Sequence, residues 1–508
     1  MKLHVLPPQG TRIEQSEMIF AAIEAEIRRT LPAGRIDMIL DNIGLPNGGV
    51  NLAFGNSDTI SNSDGDIQLS LKPGARKTLD YARELRQKLT AEFPEETFFF
   101  TPANITNQIL DFGLPAPIDL QVVGRNPQEN YAVAQNLLRQ VQAIPGVVDA
   151  HIHQEISYPT VQVNVDRTKA EQLGLRQTDV ASSMLISLSG TSQTAPNQWL
   201  NPQNGVNYQV VVQSPLYRVD SFDALKRTPV TAQNGTNSQL LGNLATLKRD
   251  VSTIVVDHYN IQPTYDIYAD VDKRDLGGVA TQIRQIIKRT KQLPSGTFLD
   301  LRGEVSTMED SFSRLEAGTG FAVIIVYLLM AINFQSWIDP FIILTALPGA
   351  FSGILRMLYL TQTTFSVPSL MGSIMTIGVA TANSILLVVF ANDERANNKN
   401  QLDAALSAGF IRLRPVCTTA LAMIIGMLPM ALAFGEGGEQ NAPLGRAVIG
   451  GLLVATLSTL FIVPIIYSLL RKQPPVDYDE KIDKEYKGEI TPEGQPLPRR
   501  NGAAMQAS

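Results

Sequence analysis

The sequence predicts an α+β fold: tandem ferredoxin-like (split βαβ) subdomains with an inserted β-rich subdomain, followed by a five-helix transmembrane bundle. Three observations predict it. A strand–helix–strand pattern recurs four times within residues 1–314. The second pair of copies is interrupted by a stretch rich in Asn, Gln, Thr and Gly. From Glu316 onward, apolar runs follow one another, each of the about 17–25 residues that a helix needs to cross a bilayer.

The first copy is "KLHVLPP", alternating like a strand, then "RIEQSEMIFAAIEAEIRRTLP", then "GRIDMIL". Ile19, Ile23, Ile27 and Leu31 share one face of the intervening helix. The second is "DIQLSLKP", a helix with Ala82, Leu85, Leu89 and Phe93 on one face, and "ETFFFTP". The third is "PIDLQVVG", "PQENYAVAQNLLRQVQAIP" and "GVVDAHIH"; the fourth is "TYDIYADVD", "GGVATQIRQIIKRTKQLP" and "SGTFLDLRG". Each helix ends in an apolar residue and a proline: Leu31-Pro32, Phe93-Pro94, Ile144-Pro145 and Leu293-Pro294. Proline stops the helix and sets the turn into the next strand. Four such units make two split βαβ pairs.

Five spans are expected, over residues 317–334, 340–360, 367–391, 415–434 and 447–470. A charged loop with an amphipathic stretch joins the third to the fourth, and a polar, Pro-rich tail follows the fifth. Lys and Arg concentrate in that loop and tail, which places both in the cytoplasm and residues 1–314 outside it. The start of the chain, "MKLHVLPPQGTRIEQ", lacks the apolar core of a targeting segment, so the expectation is a further span upstream.

The net charge of −6 is dispersed, with no basic stripe for nucleic acid. The single cysteine, Cys417, excludes an intrachain disulfide. No nucleophile–base set, P-loop or dinucleotide loop is readable, so neither an enzyme nor a cofactor is expected. The four histidines do not suggest a metal site; His151 and His153 read as exposed residues of one strand. Met18 and Met38 read as core positions rather than as clustered thioether ligands for a soft metal.

The whole arrangement, from Met1 to about Leu470, resembles the second half of a resistance–nodulation–division (RND) efflux permease of the drug-efflux type. The segments that carry the resemblance are "FQSWIDPFIILTALPGAFSG" (334–353), "IGVATANSILLVVFAN" (377–392), "AALSAGFIRLRPVCTTALAMIIGMLPMAL" (404–432) and "GGEQNAPLGRAVIGGLLVATLSTLFIVPIIY" (437–467). They are similar to the family's eighth-to-ninth helix turn and its tenth, eleventh and twelfth helices.

The resemblance implies porter subdomains at 1–117 and at 118–175 plus 263–314, the latter interrupted by a docking-like subdomain at 176–262. A transmembrane bundle at 315–471 and a disordered cytoplasmic tail at 472–508 complete the expected plan. It also implies proton antiport across a bacterial inner membrane and export of small molecules. The implied partners are the permease's N-terminal half, a homotrimer, a periplasmic adaptor and an outer-membrane channel.

Asn383, Arg412 and Thr419 match the family's proton-relay positions. Ala382 stands where many drug-type members carry a lysine, which puts a lysine-centred relay in doubt. Two other readings stay open: a non-transporting fragment or membrane-anchored binding module, and a heavy-metal exporter. The small-residue runs "GAFSG" and "GRAVIGG" are expected to let helices approach closely.

Overall fold

The computed structural model describes residues 1–45, 58–72, 77–103, 109, 113–232, 238–397, 399–434 and 438–472. The tail expected at 472–508 lies, but for its first residue, outside them. The chain divides into two compact units, Met1–Thr307 and Met308–Ser508.

In the first unit, β1 (Lys2–Leu6), α1 (Ile13–Thr30), β2 (Ile36–Ile43), β3 (Gly65–Leu71), α2 (Thr78–Glu92) and β4 (Thr97–Thr101) follow in order. The strands pair antiparallel in the order β2-β3-β1-β4. Both helices present an apolar stripe to this sheet. Phe20, Ile23, Ile27, Leu85 and Leu89 pack on Leu3, Val5 and Ile67, as their 3.6-residue spacing requires. Met18 and Met38 are exposed, which corrects their reading as core. Met18 lies on the outer side of α1, and Met38 sits beside a register shift in the β2–β3 pair.

The second sheet is built from β5 (Ile118–Val123), α3 (Pro127–Gln142) and β6 (Val147–Ile152). An intervening segment begins at β7 (Tyr158–Val165), α4 (Arg167–Gln172) and α5 (Gln177–Ser189). It continues through β8 (Asn197–Leu200), β9 (Asn207–Val210), α6 (Phe222–Lys226), β10 (Pro229–Thr231), β11 (Ser238–Leu240), α7 (Leu241–Leu244) and β12 (Ala245–Ser252). Then β13 (Asp257–Tyr259), β14 (Gln262–Val271), α8 (Leu276–Arg289) and β15 (Phe298–Arg302) return to the sheet. There β14 lies between β5 on one side and β6 and β13 on the other, and β15 flanks β5. The intervening segment has its own strand pairs, β7–β12, β8–β9 and β10–β11. It also has its own small core around Leu175, Val180, Val230 and Leu241.

Among the described residues, five helical stretches are long and apolar enough to cross a membrane. They are α9 (Glu304–Phe334), the pair α10 (Ile338–Leu344) and α11 (Leu347–Leu360), α12 (Val367–Ala396), α13 (Gln401–Ala431), and α14 (Gly438–Leu457) continued by α15 (Val463–Leu470). A π-helical turn, Ser458–Ile462, joins the last two. The amphipathic stretch read as part of a loop is the first half of α13, which runs through Pro415 without ending there.

Helices α11 and α14 approach closely because both carry glycine at the crossing. A Cβ on Gly353 would lie 2.3 Å from the Gly450 carbonyl, and one on Gly450 would lie 2.2 Å from Met357 Cβ. Small residues allow such approach where lipid supplies no hydrophobic drive for association.

Candidate functional site

In the helical unit, α12 turns a polar stripe inward. Ser369, Ser373, Thr376, Thr381, Asn383 and Ser384 are all buried. Ser373 and Thr376 donate back to the carbonyls of Ser369 and Gly372 at 2.8 and 2.9 Å. Ser384 instead reaches across to Thr459 in the π-helical turn, 3.1 Å away.

The three expected relay residues do not converge. Asn383 is buried on α12, whereas its neighbour Ala382, about 100° round the helix, is exposed. Arg412 is half-buried on α13, with its guanidinium 5.2 Å from the centre of the Phe390 ring and its Nε buried without a hydrogen-bond partner. Thr419 is exposed and donates to its own helix, to the carbonyls of Pro415 and Val416. No hydrogen bond links any two of the three among the described residues.

The structure adds an ion pair that sequence reasoning missed. Asp339, at the start of α10, is fully buried. Its Oδ2 lies 3.3 Å from Arg471 Nη2 and accepts from Asn392 at 3.4 Å. Asn392 accepts in turn from the Tyr467 hydroxyl at 2.7 Å, and Ser336 accepts from Arg471 at 3.4 Å. This network ties α10, α12 and the end of α15 together. The available signal was an Asp inside "SWIDP", which reads as a turn residue.

In the strand-rich unit, β1 alternates. Leu3 and Val5 enter the core, and Lys2 and His4 face the other side of the sheet. His4, directly opposite Asp66 in the β1–β3 register, lies 2.8 Å from Asp66 Oδ1 through Nδ1 and 3.3 Å from Asp64 Oδ2 through Nε2. Asp64 is held by the backbone N–H groups of Ile60 and Ser61. Burial opposes the imidazolium, but the hydrogen bonds and charges of Asp64 and Asp66 outweigh it and raise His4 to about 9. The imidazolium and these bonds in turn keep both carboxyls below their ordinary range despite burial.

His4, Asp58 and Asp66 bring ligand atoms within 4.8 Å of one another, a spacing that could hold a metal ion. The Lys2 ammonium already sits 2.6 Å from Asp58 and 3.2 Å from Asp66. As it stands, the cluster is therefore a compensated ion network.

A column of rings leads from this network to the second sheet. His4 stacks on Phe99 at 4.5 Å, Phe99 on His151 at 3.9 Å, and His151 and His153 meet Tyr268 at 5.9 and 5.3 Å. His151 and His153 are thus half-buried partners in a stack, not the exposed residues expected. Burial pushes His151 down to about 3, so it stands neutral. Beside the column, Arg86 of α2 grips Asp149 of β6 with two bonds of 2.7 Å.

With this geometry in hand, the chain can be set beside known proteins. The sequence profile of the AcrB/AcrD/AcrF family matches residues 3–471. The chain belongs to this family. It is 26% identical over 473 residues to the cobalt-zinc-cadmium resistance protein CzcA of Cupriavidus metallidurans, covering 91% of this chain and 43% of CzcA. Over 309 residues it is 30% identical to the swarming motility protein SwrC of Bacillus subtilis, covering 60% of this chain and 29% of SwrC. A crystal structure of a heavy metal efflux pump superposes with a TM-score of 0.76 at 23% identity, over 93% of this chain and 46% of that one; this likeness shows the fold. The chain thus spans less than half the length of the CzcA relative. Members of this family are RND efflux permeases, and this chain is a multi-pass member of it.

Proposed function

We propose that the chain forms the second half of a proton-driven RND permease that exports small molecules. The observation that carries this reading is the family match, which runs unbroken through the strand-rich unit and all five apolar helices. Residues 1–314 lie outside the cytoplasm in this reading. In support, Arg395 and Gln401, which flank the turn between the third and fourth helical stretches, both donate to the Lys472 carbonyl after the fifth. The start of the tail therefore lies beside the charged turn at one end of the bundle, in keeping with the positive-inside rule for a cytoplasmic face. A trimer, an adaptor and an outer-membrane channel belong to the same proposal.

Proton coupling would use Arg412 and Asn383 with acidic groups of a first half. The buried, unpaired Nε of Arg412 and the open face at Ala382 support this. Thr419, bonded to its own backbone, would serve mainly to shape α13 beside Pro415.

A second reading, export of heavy-metal cations, is favoured by the printed names of CzcA and the superposed pump and by the His4–Asp58–Asp66 spacing. Against it stand the Lys2 ammonium in that cluster and the exposure of Met18 and Met38 on separate elements. The test is to produce the chain with a family first half in an efflux-deficient host. Protonophore-sensitive expulsion of a lipophilic dye supports the first reading. Raised zinc or cobalt tolerance without dye expulsion supports the second and contradicts the first.

A further inference from the structure

The face of the second sheet turned away from its helices carries an assembly that the transport reading does not use. Antiparallel register puts Asp119 and Gln121 of β5, Thr264, Asp266 and Tyr268 of β14, and Asp257 of β13 on one face. Gln121 Nε2 donates to Asp119 Oδ2 at 2.9 Å and to Asp266 Oδ1 at 2.8 Å. Gln154 Nε2 donates to Asp266 Oδ2 at 2.5 Å and to Asp257 Oδ2 at 2.6 Å, and its Oε1 accepts from the Asp266 N–H at 2.8 Å. The result is a ladder of three carboxylates with two amides as rungs.

This ladder is short of donors. Each amide nitrogen already serves two carboxylates. Yet Asp119 Oδ1, Gln121 Oε1 and Thr264 Oγ1 are buried with no hydrogen-bond partner. Asp119, Gln121 and Thr264 are 0%, 7% and 5% exposed. Thr264 sits directly opposite Asp257 and two residues from Asp266, on the ladder's face of the sheet.

The surrounding charges compensate only in part, through Arg302, which favours the ionised form of both Asp119 and Asp266. Arg302, opposite Asp119 across β5–β15, lies over the Tyr259 ring at 4.3 Å and reaches Asp300 at 4.0 Å. Asp300 faces Gln121 and adds negative charge. His151 of β6 and His153 just after it lie beside Tyr268, and burial lowers both toward the neutral form. Tyr268 is held neutral by burial and the nearby carboxylates. Asp270, next along the same face of β14, is itself raised by burial to about 6. Asp58, Asp64 and His4 act through space on His153, and Asp58 on Tyr268. None of the three ladder carboxylates forms an ion pair among the described residues. Two ionised carboxylates bridged by one neutral amide in a buried site repel each other, and the favoured remedy is to bind a positive charge.

We propose that the ladder is a proton site, in which Asp119 and Asp266 hold one proton between them. This inference does not rest on the transport reading. Burial raises both carboxyls, with the charge of Asp266 acting on Asp119 and that of Asp257 on Asp266, which is raised to about 6, in keeping with it.

The test uses the full chain in detergent. Infrared spectra at about neutral pH should show a protonated-carboxyl C=O band that Asp119→Asn removes. Asp270→Asn, as a control, should leave that band in place. Melting of the strand-rich unit should weaken as pH rises above about 4 in the parent, through 6 and on until the pair's proton is lost. In Asp119→Asn this pH dependence should flatten, with a midpoint about 2–4 °C above the parent at mildly alkaline pH. If Asp119→Asn fails to fold, Asp266→Asn is read the same way. A parent spectrum without the band, or a band kept in the folded variant, overturns the proposal. So does a melting rise with calcium or zinc that is lost in Asp119→Asn, which would make the ladder a metal site instead.

Discussion

The two units bury polar groups in opposite ways. In the strand-rich unit, polar side chains meet across strands and between sheets: His4 with Asp64 and Asp66, Arg86 with Asp149, and Asp266 with Gln121 and Gln154. In the helical unit the buried hydroxyls of Ser373 and Thr376 turn back onto their own helix, and the ion pair Asp339–Arg471 joins the start of α10 to the end of α15. The difference teaches where each unit is sensitive. A pleated sheet places residues distant in sequence side by side, so charge networks are inexpensive to assemble and respond to pH. A helix surrounded by lipid must satisfy its own polar groups, so the few cross-helix contacts carry most of the specificity.

This contrast can be broken at four places. Arg471→Ala should have the largest effect, because it leaves the fully buried Asp339 without its cation. A loss of about 3–5 kcal/mol is expected for one partner of a buried pair. Thermal unfolding in detergent measures it, and Asp339→Asn in the Arg471→Ala background should recover part. A loss no larger than that of an exposed arginine would show that the pair does not hold the helices.

Gly353→Val comes next. The added side chain meets the Gly450 carbonyl, backbone that cannot swing aside, so roughly 1–3 kcal/mol is expected from overpacking. Gly318→Val on α9, where a Cβ meets nothing within 4 Å, is the control.

The third concerns pH. His4 rises from an ordinary value of 6.5 to about 9 in the folded chain. Its contribution is fully present below the unfolded value and is lost as pH rises through about 9. Melting of the strand-rich unit should therefore weaken between about 6.5 and 9, and His4→Gln should flatten that slope. The His4→Gln and Asp119→Asn variants, compared on one pH series, separate the two networks.

The smallest effect is expected at Thr419. Thr419→Val removes bonds to its own exposed helix face, so stability should change by no more than about 0.5 kcal/mol. A larger loss would mean that the hydroxyl has a cross-helix partner.

What could be read from sequence follows the same division. The faces holding Ile23, Ile27, Leu85 and Leu89 were legible because a helix repeats locally, and the glycine pairs because small residues stand out in apolar runs. The His4–Asp64–Asp66 network was not legible, since about sixty residues and a strand register separate its members. His151 and His153 were misread for the same reason: alternation tells which side of a strand a residue faces, not what covers that side. Arg471 was legible as a basic residue after the last span but not as the partner of Asp339, which lies more than a hundred residues away. For Asn383 and Arg412, sequence supplied the positions and the structure supplied their surroundings.

The most direct test of the transport account is substrate efflux driven by an imposed pH gradient, from vesicles holding the chain together with a family first half. Parent, Arg412→Lys, Arg412→Ala and Arg414→Ala are compared at matched protein levels. The account predicts that Arg412→Ala abolishes proton-linked efflux. Arg412→Lys should keep part of it, because charge remains though the planar fork is lost, and Arg414→Ala should leave it near the parent rate per molecule. Transport by Arg412→Ala at the parent rate would contradict the account and make Arg412 a helix anchor resting on Phe390.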